Sequence, residues 1–148
     1  EVLERAGKGY RGVDVLEQCR RLDEAGIEYN LIYLTGLAGA GRGRHNARTT
    51  ARVLNRLNPR ILEISSLELQ PGSALQAQAQ AGEFEPASVS ERLDELHVLL
   101  EEVQLRVHLE AASATNPLPL VGMLPYDKSL LMAALEEGVA RSSAMTWR

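Results

Sequence analysis

The sequence predicts an α/β fold built on a short parallel sheet of about three strands, and three observations carry that prediction. Residues 31–35, Leu-Ile-Tyr-Leu-Thr, form an uncharged apolar and β-branched run between two helical patterns, as a strand buried on both faces does. Two further strand-like runs, 60–69 and 105–110, each follow a helical repeat. The resulting order is helix, strand, helix, strand, one or two helices, strand, helix, which is the pattern of βαβ units with helices laid on a parallel sheet. Ligands in such folds gather where strands end at their carboxyl side, so 36–43 is the first place to look for chemistry.

Taken in order, 1–6 reads as one helical turn stopped by Gly7 and Gly9. From about Val13, the positions Val15, Leu16, Cys19, Leu22 and Ala25 recur at helical spacing, and Gly26 stands where a left-handed residue ends a helix. The strand from about Tyr29 follows. A second helix spans about 46–57, with Ala47, Ala51, Leu54 and Leu57 buried and Arg48, Arg52 and Arg56 exposed; Asn58-Pro59 stops it. The strand 60–69 ends at the Pro71-Gly72 turn. A short helix is expected over 73–80. Ser88 and Glu91 have capping-box spacing before Val89, Leu93, Leu96, Leu100 and Val103. Residues 105–110 alternate strictly, as a strand with one wet face does. Residues 111–126 hold three prolines and read as a long loop. Asp127 can cap a last helix with Leu130, Leu131, Ala134, Leu135 and Val139 inward, and 142–148 reads as a frayed tail.

The chain's 148 residues suit a single domain with a real core. No apolar run approaches the roughly 20 residues of a membrane span, and the first residues do not resemble a signal peptide. The net charge of −4, without a basic stripe interleaved with aromatics, disfavours nucleic acid as a partner. One cysteine, Cys19, excludes an internal disulfide framework and points to a reducing compartment, the cytoplasm. The chain opens at Glu1-Val-Leu-Glu-Arg, already in a helical pattern and without an initiator Met, as an excised fragment does.

The turn Gly36-Leu-Ala-Gly-Ala-Gly-Arg-Gly-Arg44 invites a phosphate-loop reading, but Arg42 and Gly43 stand where Lys and Ser/Thr must reach phosphate and magnesium. Two other readings stay open: a flexible strand-to-helix connection, or a backbone that approaches a ligand closely with Arg42 and Arg44 as anion clamps. On the strand 105–110, Leu105, Val107 and Leu109 share one face and Arg106, His108 and Glu110 the other. That polar face meets either solvent or a lumen; in a barrel its residues, joined by Glu63 and Ser65, would line the cavity as acid, base and cation. His45, His97 and His108 are too scattered for a metal site; His97 lies on the polar side of its helix, and Cys19 on a buried stripe reads as a packed thiol. No Gly-x-Ser-x-Gly elbow or zinc spacing occurs.

Several of these segments resemble the later half of a radical S-adenosylmethionine (SAM) iron–sulfur oxidoreductase, of the coproporphyrinogen-oxidase-like and elongator-like kind. The similarity runs over about 1–140. Glu1-Val-Leu-Glu-Arg-Ala-Gly-Lys-Gly9 looks like the segment after the family's fourth strand, Leu22-Asp-Glu-Ala-Gly-Ile27 the end of its fourth helix, and 29–39 its fifth strand. Leu69-Gln-Pro-Gly-Ser-Ala-Leu75 looks like the P-G-T-P-L turn after its sixth strand. Asn116-Pro-Leu-Pro-Leu-Val-Gly-Met-Leu-Pro-Tyr-Asp-Lys128 is similar to a C-terminal N-Y-L-P-L-x-G-x-L-P-x-D-K signature, the most specific match.

The resemblance implies a partial (β/α) barrel whose early half holds a [4Fe–4S] cluster on Cys-x-x-x-Cys-x-x-Cys, where bound SAM is cleaved to a 5′-deoxyadenosyl radical. With one cysteine, this chain lacks the three thiolate ligands. It is therefore expected to be a portion of such an enzyme or a degenerate relative, with no cofactor bound and no catalysis alone. The family's G-x-I-x-G-x-x-E motif, which packs on adenine, aligns Leu34 with its isoleucine and Gly36 with its second glycine; Ile32 and Gly39 depart from it. Leu69 and Gln70 would sit near the adenine edge. The expected partners are the missing early half of the barrel, a substrate of undetermined identity, and a second copy of the chain. About three strands cannot close a barrel, so the uncovered face should associate with Glu63, Ser65 and His108 near the contact. The alternative is a self-contained α/β module that binds an anion or nucleotide without redox chemistry.

Overall fold

Four strands form one open sheet in the order β1 (Asn30–Thr35), β2 (Ile61–Ser66), β3 (Val107–Ala111) and β4 (Leu120–Leu124). The first three are parallel and β4 runs antiparallel to β3. The computed structural model describes residues 1–145. Helices α1 (Val2–Arg5) and α2 (Gly12–Glu24) precede β1, and α3 (Gly43–Leu54) joins β1 to β2. Helices α4 (Ala74–Gln80) and α5 (Val89–Glu102) join β2 to β3, and α6 (Lys128–Met145) follows β4. The α/β class and the parallel run agree with the sequence reading; the sheet does not close on itself.

The stretch 111–126 is not one loop, because β4 lies inside it. Pro117, Pro119 and Pro125 flank the strand rather than interrupt it, which an edge strand tolerates. Gly122 is needed there: a Cβ would stand 3.1 Å from the Asp127 Cβ and 3.2 Å from the Leu131 side chain. Other boundaries also move. Helix α3 begins at Gly43 rather than 46, β2 stops at Ser66 rather than 69, and β3 starts at Val107, leaving Arg106 just ahead of it. Helix α6 continues to Met145, through most of the expected tail, and 146–148 lie outside the described residues. Leu130, expected inward, is exposed, while Leu131 and Leu135 are buried.

Alternation along the strands decides what each face meets. Tyr33, Leu62, Ile64, Val107, Leu109, Ala111, Leu120 and Leu124 pack into one core with Ala47, Ala51 and Leu54 of α3, five apolar residues of α5, and Leu131 and Leu135 of α6. These three helices therefore cover one face of the sheet. The opposite face carries Ile32, Leu34, Ile61, Glu63, Ser65, His108, Glu110, Val121 and Met123, all half-buried or exposed. Helix α2 is peripheral, with Cys19 its one buried residue.

Helix α5 is the central beam. Ser88 caps it, receiving the Glu91 N–H at 3.2 Å while its own N–H donates to the Glu91 carboxylate at 2.8 Å, the predicted capping box. At the other end, Lys128 Nζ donates to the carbonyls of Glu101 at 2.7 Å and Val103 at 3.0 Å, satisfying acceptors a helix C-terminus leaves open. Asn55, the α3 C-cap, braces the same end through Glu102 O and Gln104 N. Among the described residues no helix is long and apolar enough to cross a membrane.

Candidate functional site

Two arrangements at the sheet concern function: the turn at the carboxyl end of β1, and the open face. The turn begins at Gly36, whose φ of +82° suits glycine and whose Cβ position lies 3.1 Å from Arg92 Cδ. Five amides of the loop are already used. Gly36 N–H donates to Glu95 Oε2 at 2.8 Å, Gly39 N–H to the Gly36 carbonyl at 3.0 Å, and Ala40 N–H to the Glu85 carbonyl at 2.8 Å. Gly41 N–H donates to Glu91 Oε1 at 2.8 Å and Arg42 N–H to the Gly39 carbonyl at 3.3 Å. The glycine-rich loop thus accepts two carboxylates from α5 where a phosphate loop would accept a nucleotide.

Glu95 is fully buried, and both of its carboxyl oxygens find donors in the core. Tyr33 donates its hydroxyl to Oε1 at 2.6 Å, and Asn46 Nδ2 donates to the same oxygen at 3.3 Å and to the Tyr33 oxygen at 3.0 Å. Burial, then the neighbouring Glu95 charge, push the Tyr33 pKa far above its ordinary value, so the hydroxyl remains a donor. Gly43 packs on the Glu95 stem and carboxylate, its Cβ position 2.9 Å from Oε2. Hydrogen bonds from the Ser88 and Gly41 N–H groups hold Glu91 below the usual carboxylate range.

At the carboxyl ends of β1 and β2, Thr35 and Ser66 turn hydroxyls into the covered face and meet at 2.9 Å. The segment after β3 closes over them: Thr115 Oγ1 accepts Ser66 N–H at 3.1 Å, Asn116 Oδ1 accepts from Ser66 Oγ at 3.2 Å, and Asn116 Nδ2 donates to the Ile64 carbonyl at 2.7 Å. The 116–128 signature is therefore a brace along its length. Asn116 ties to β2, Gly122 makes room for Asp127, Asp127 accepts Met123 N–H at 2.7 Å, and Lys128 caps α5.

On the open face the register sets Ile32 beside Glu63, Leu34 beside Ser65, Ile61 beside His108 and Glu63 beside Glu110. The structure so brings Glu63, Ser65, His108 and Glu110 onto one surface with Leu34, with the Glu63 and Glu110 carboxylates on directly paired positions. Arg106 stacks over the Tyr126 ring at 5.5 Å, at the amino end of β3. Leu69 is half-buried and Gln70 exposed beyond the end of β2, and among the described residues no hydrogen bond joins either to Leu34 or Gly36.

The expected arginine clamp is half corrected. Arg44 pairs with Asp94 at 2.6 Å, whereas Arg42 has no ion-pair partner among the described residues. His97, expected solvated, is half-buried with Nε2 3.5 Å from Glu136 Oε1. Burial, then the Asp23 charge, raise the Cys19 thiol pKa, which keeps it protonated. Sequence reasoning missed Glu95, Tyr33, Asn46 and Arg92, and read Glu91 as the partner of Ser88 without its bond to Gly41. The available signal was a tyrosine inside an otherwise aliphatic strand, whose hydroxyl needs a buried partner.

No group of three or more His, Cys, Asp or Glu is placed to hold a metal ion among the described residues. Comparison with known proteins returns no match to this chain among protein families, curated proteins or solved structures.

Proposed function

We propose that this chain is the C-terminal wall of a radical SAM iron–sulfur oxidoreductase, a partial (β/α) barrel of cytoplasmic location. The observation that carries the reading is the Asn116–Lys128 signature. The topology is compatible with it: strands β1 to β3 follow one another without a reversal of order, and the helices cover one face. A doubly wound sheet has a switch in strand order and helices on both faces. A singly wound one leaves its inner face to a lumen, and Glu63, Ser65, Arg106, His108 and Glu110 are the residues assigned to that lumen and its rim.

This chain's own residues do not fit the [4Fe–4S] cluster, because its one thiol is buried on α2 and the other two are absent from the sequence. The proposal gives the cluster to a partner segment with three cysteines. For SAM the fit is partial. Leu34 offers an apolar wall to adenine, and Leu69 and Gln70 its edge, while the Gly36 amide is committed to Glu95. The lumen residues would orient a substrate and move protons; its identity depends on loops outside the sheet.

Two experiments test the reading. The reading frame encoding this chain should carry Cys-x-x-x-Cys-x-x-Cys upstream of Glu1, and its absence there removes the proposal. In the protein with that segment, Leu34→Glu should weaken SAM binding by calorimetry, and an unchanged affinity overturns the adenine assignment. Alone, the 148-residue chain should associate through its open face, so a clean monomer by sedimentation at high concentration counts against that contact. A second reading, a self-contained module that binds a small anion, is favoured by the buried Arg92 Nε, which has no hydrogen-bond acceptor.

A further inference from the structure

Two arginines flank the 36–39 turn without a partner. The Arg92 stem lies against Gly36, and its Nε is buried without a hydrogen-bond acceptor. Arg42 places Nη2 3.2 Å from where a Cβ on Gly39 would stand. The turn is closed by the Gly39 N–H to Gly36 carbonyl bond, which holds its two end Cα atoms within about 7 Å. Both arginines thus converge on one short segment at the carboxyl end of β1. Neither forms an ion pair among the described residues, unlike Arg44 with Asp94 and Arg48 with Glu102.

The nearby acids are occupied. Glu95 receives Tyr33, Asn46 and Gly36, and Glu91 receives Ser88 and Gly41. A buried guanidinium N–H without an acceptor is costly, and a guanidinium matches the two oxygens of a phosphate or carboxylate. We propose that Arg92 and Arg42 hold a small oxyanion, a phosphate or carboxylate group of a ligand, over the 36–39 turn. Five amides of the loop, from Gly36, Gly39, Ala40, Gly41 and Arg42, are bonded within the protein, so the two arginine side chains do most of the holding. The site needs neither cluster nor upstream segment; it deepens the small-anion reading, and its failure is distinguishable from a failure of the radical SAM reading, which is tested on the upstream frame and on SAM affinity.

The test is a titration of the 148-residue chain with inorganic phosphate and, separately, malonate, against chloride at matched ionic strength. The arginine Nε–H and backbone amide NMR resonances are followed. Saturable shifts at Arg92, Arg42 and Gly39 are expected, and the tighter of the two anions identifies the ligand group. Arg92→Gln should weaken the binding by about tenfold or more, and Arg44→Gln should leave it unchanged. Shifts that chloride reproduces, or saturation confined to Arg52 and Arg56, overturn the proposal. Should Arg92→Gln fail to fold, the wild-type titration still decides by which resonances saturate.

Discussion

The two faces of the sheet are made from the same four strands and have opposite fates. Ile64 and Ile32 show it most plainly, being isoleucines on neighbouring parallel strands. Ile64 is fully buried under the helices, whereas Ile32 is 68% exposed. On the covered face the polar side chains of the strands have partners inside: Tyr33 with Glu95, Thr35 with Ser66, Ser66 with Asn116. The open face mixes exposed Ile32, Val121 and Met123 with Glu63, Ser65, His108 and Glu110. Parallel strands normally have both faces covered, and here an apolar and polar mixture is left open on one of them.

The contrast can be broken by experiment, beginning with its strongest consequence. Ile64→Ala should cost about 2–5 kcal/mol in urea unfolding, through lost transfer energy and a residual cavity. A loss as small as that expected at an exposed site would show that the covered face is loosely packed. Glu95→Ala should cost about 1–3 kcal/mol, since Tyr33 and Gly36 would keep buried donors without an acceptor. Glu95→Gln, which keeps the shape and an acceptor oxygen, should recover part of this. An unchanged midpoint in Glu95→Ala would remove the view that those donors depend on Glu95.

A smaller effect follows from pH. Glu91 has its pKa lowered in the folded chain, so its contribution is fully present above the unfolded carboxylate pKa and is lost as pH falls through the lower folded value. Glu91→Gln should therefore flatten stability on the acid side of the ordinary carboxylate range, modestly, because solvent screens this residue. A wild-type profile identical to the variant's across that window would contradict the staple to Gly41. The smallest change is expected of Ile32→Ala, within about 0.5 kcal/mol for the isolated monomer. A larger loss that grows with protein concentration would show the open face covered by a second copy.

Much of the fold was legible in advance. Strand β1, the Ser88–Glu91 box, the Gly26 end of α2 (φ +67°) and the alternation through 105–110 depend on neighbours within a few residues. Strand β4 was hidden because prolines surround it and its pairing with β3 is not local. Of the site, alternation placed His108 with Glu110, and Glu63 with Ser65. The union of the two pairs needed the β2–β3 register. Glu95 was missed because a glutamate in a helix reads as surface unless the tyrosine, amide and glycine that meet it are known to converge.

The chain by itself determined the alternation of helices with parallel strands and, among the caps, the Ser88–Glu91 box and the Gly26 stop, since backbone preference and side-chain periodicity act over one or two turns. It also determined that the single cysteine, Cys19, cannot form an internal disulfide. Only the tertiary structure decided that the glycine-rich turn takes its anions from α5, and that Arg92 comes to lie beside it. Those outcomes join residues some fifty positions apart, and hydrogen bonds of that kind exist once packing has brought buried donors and acceptors together.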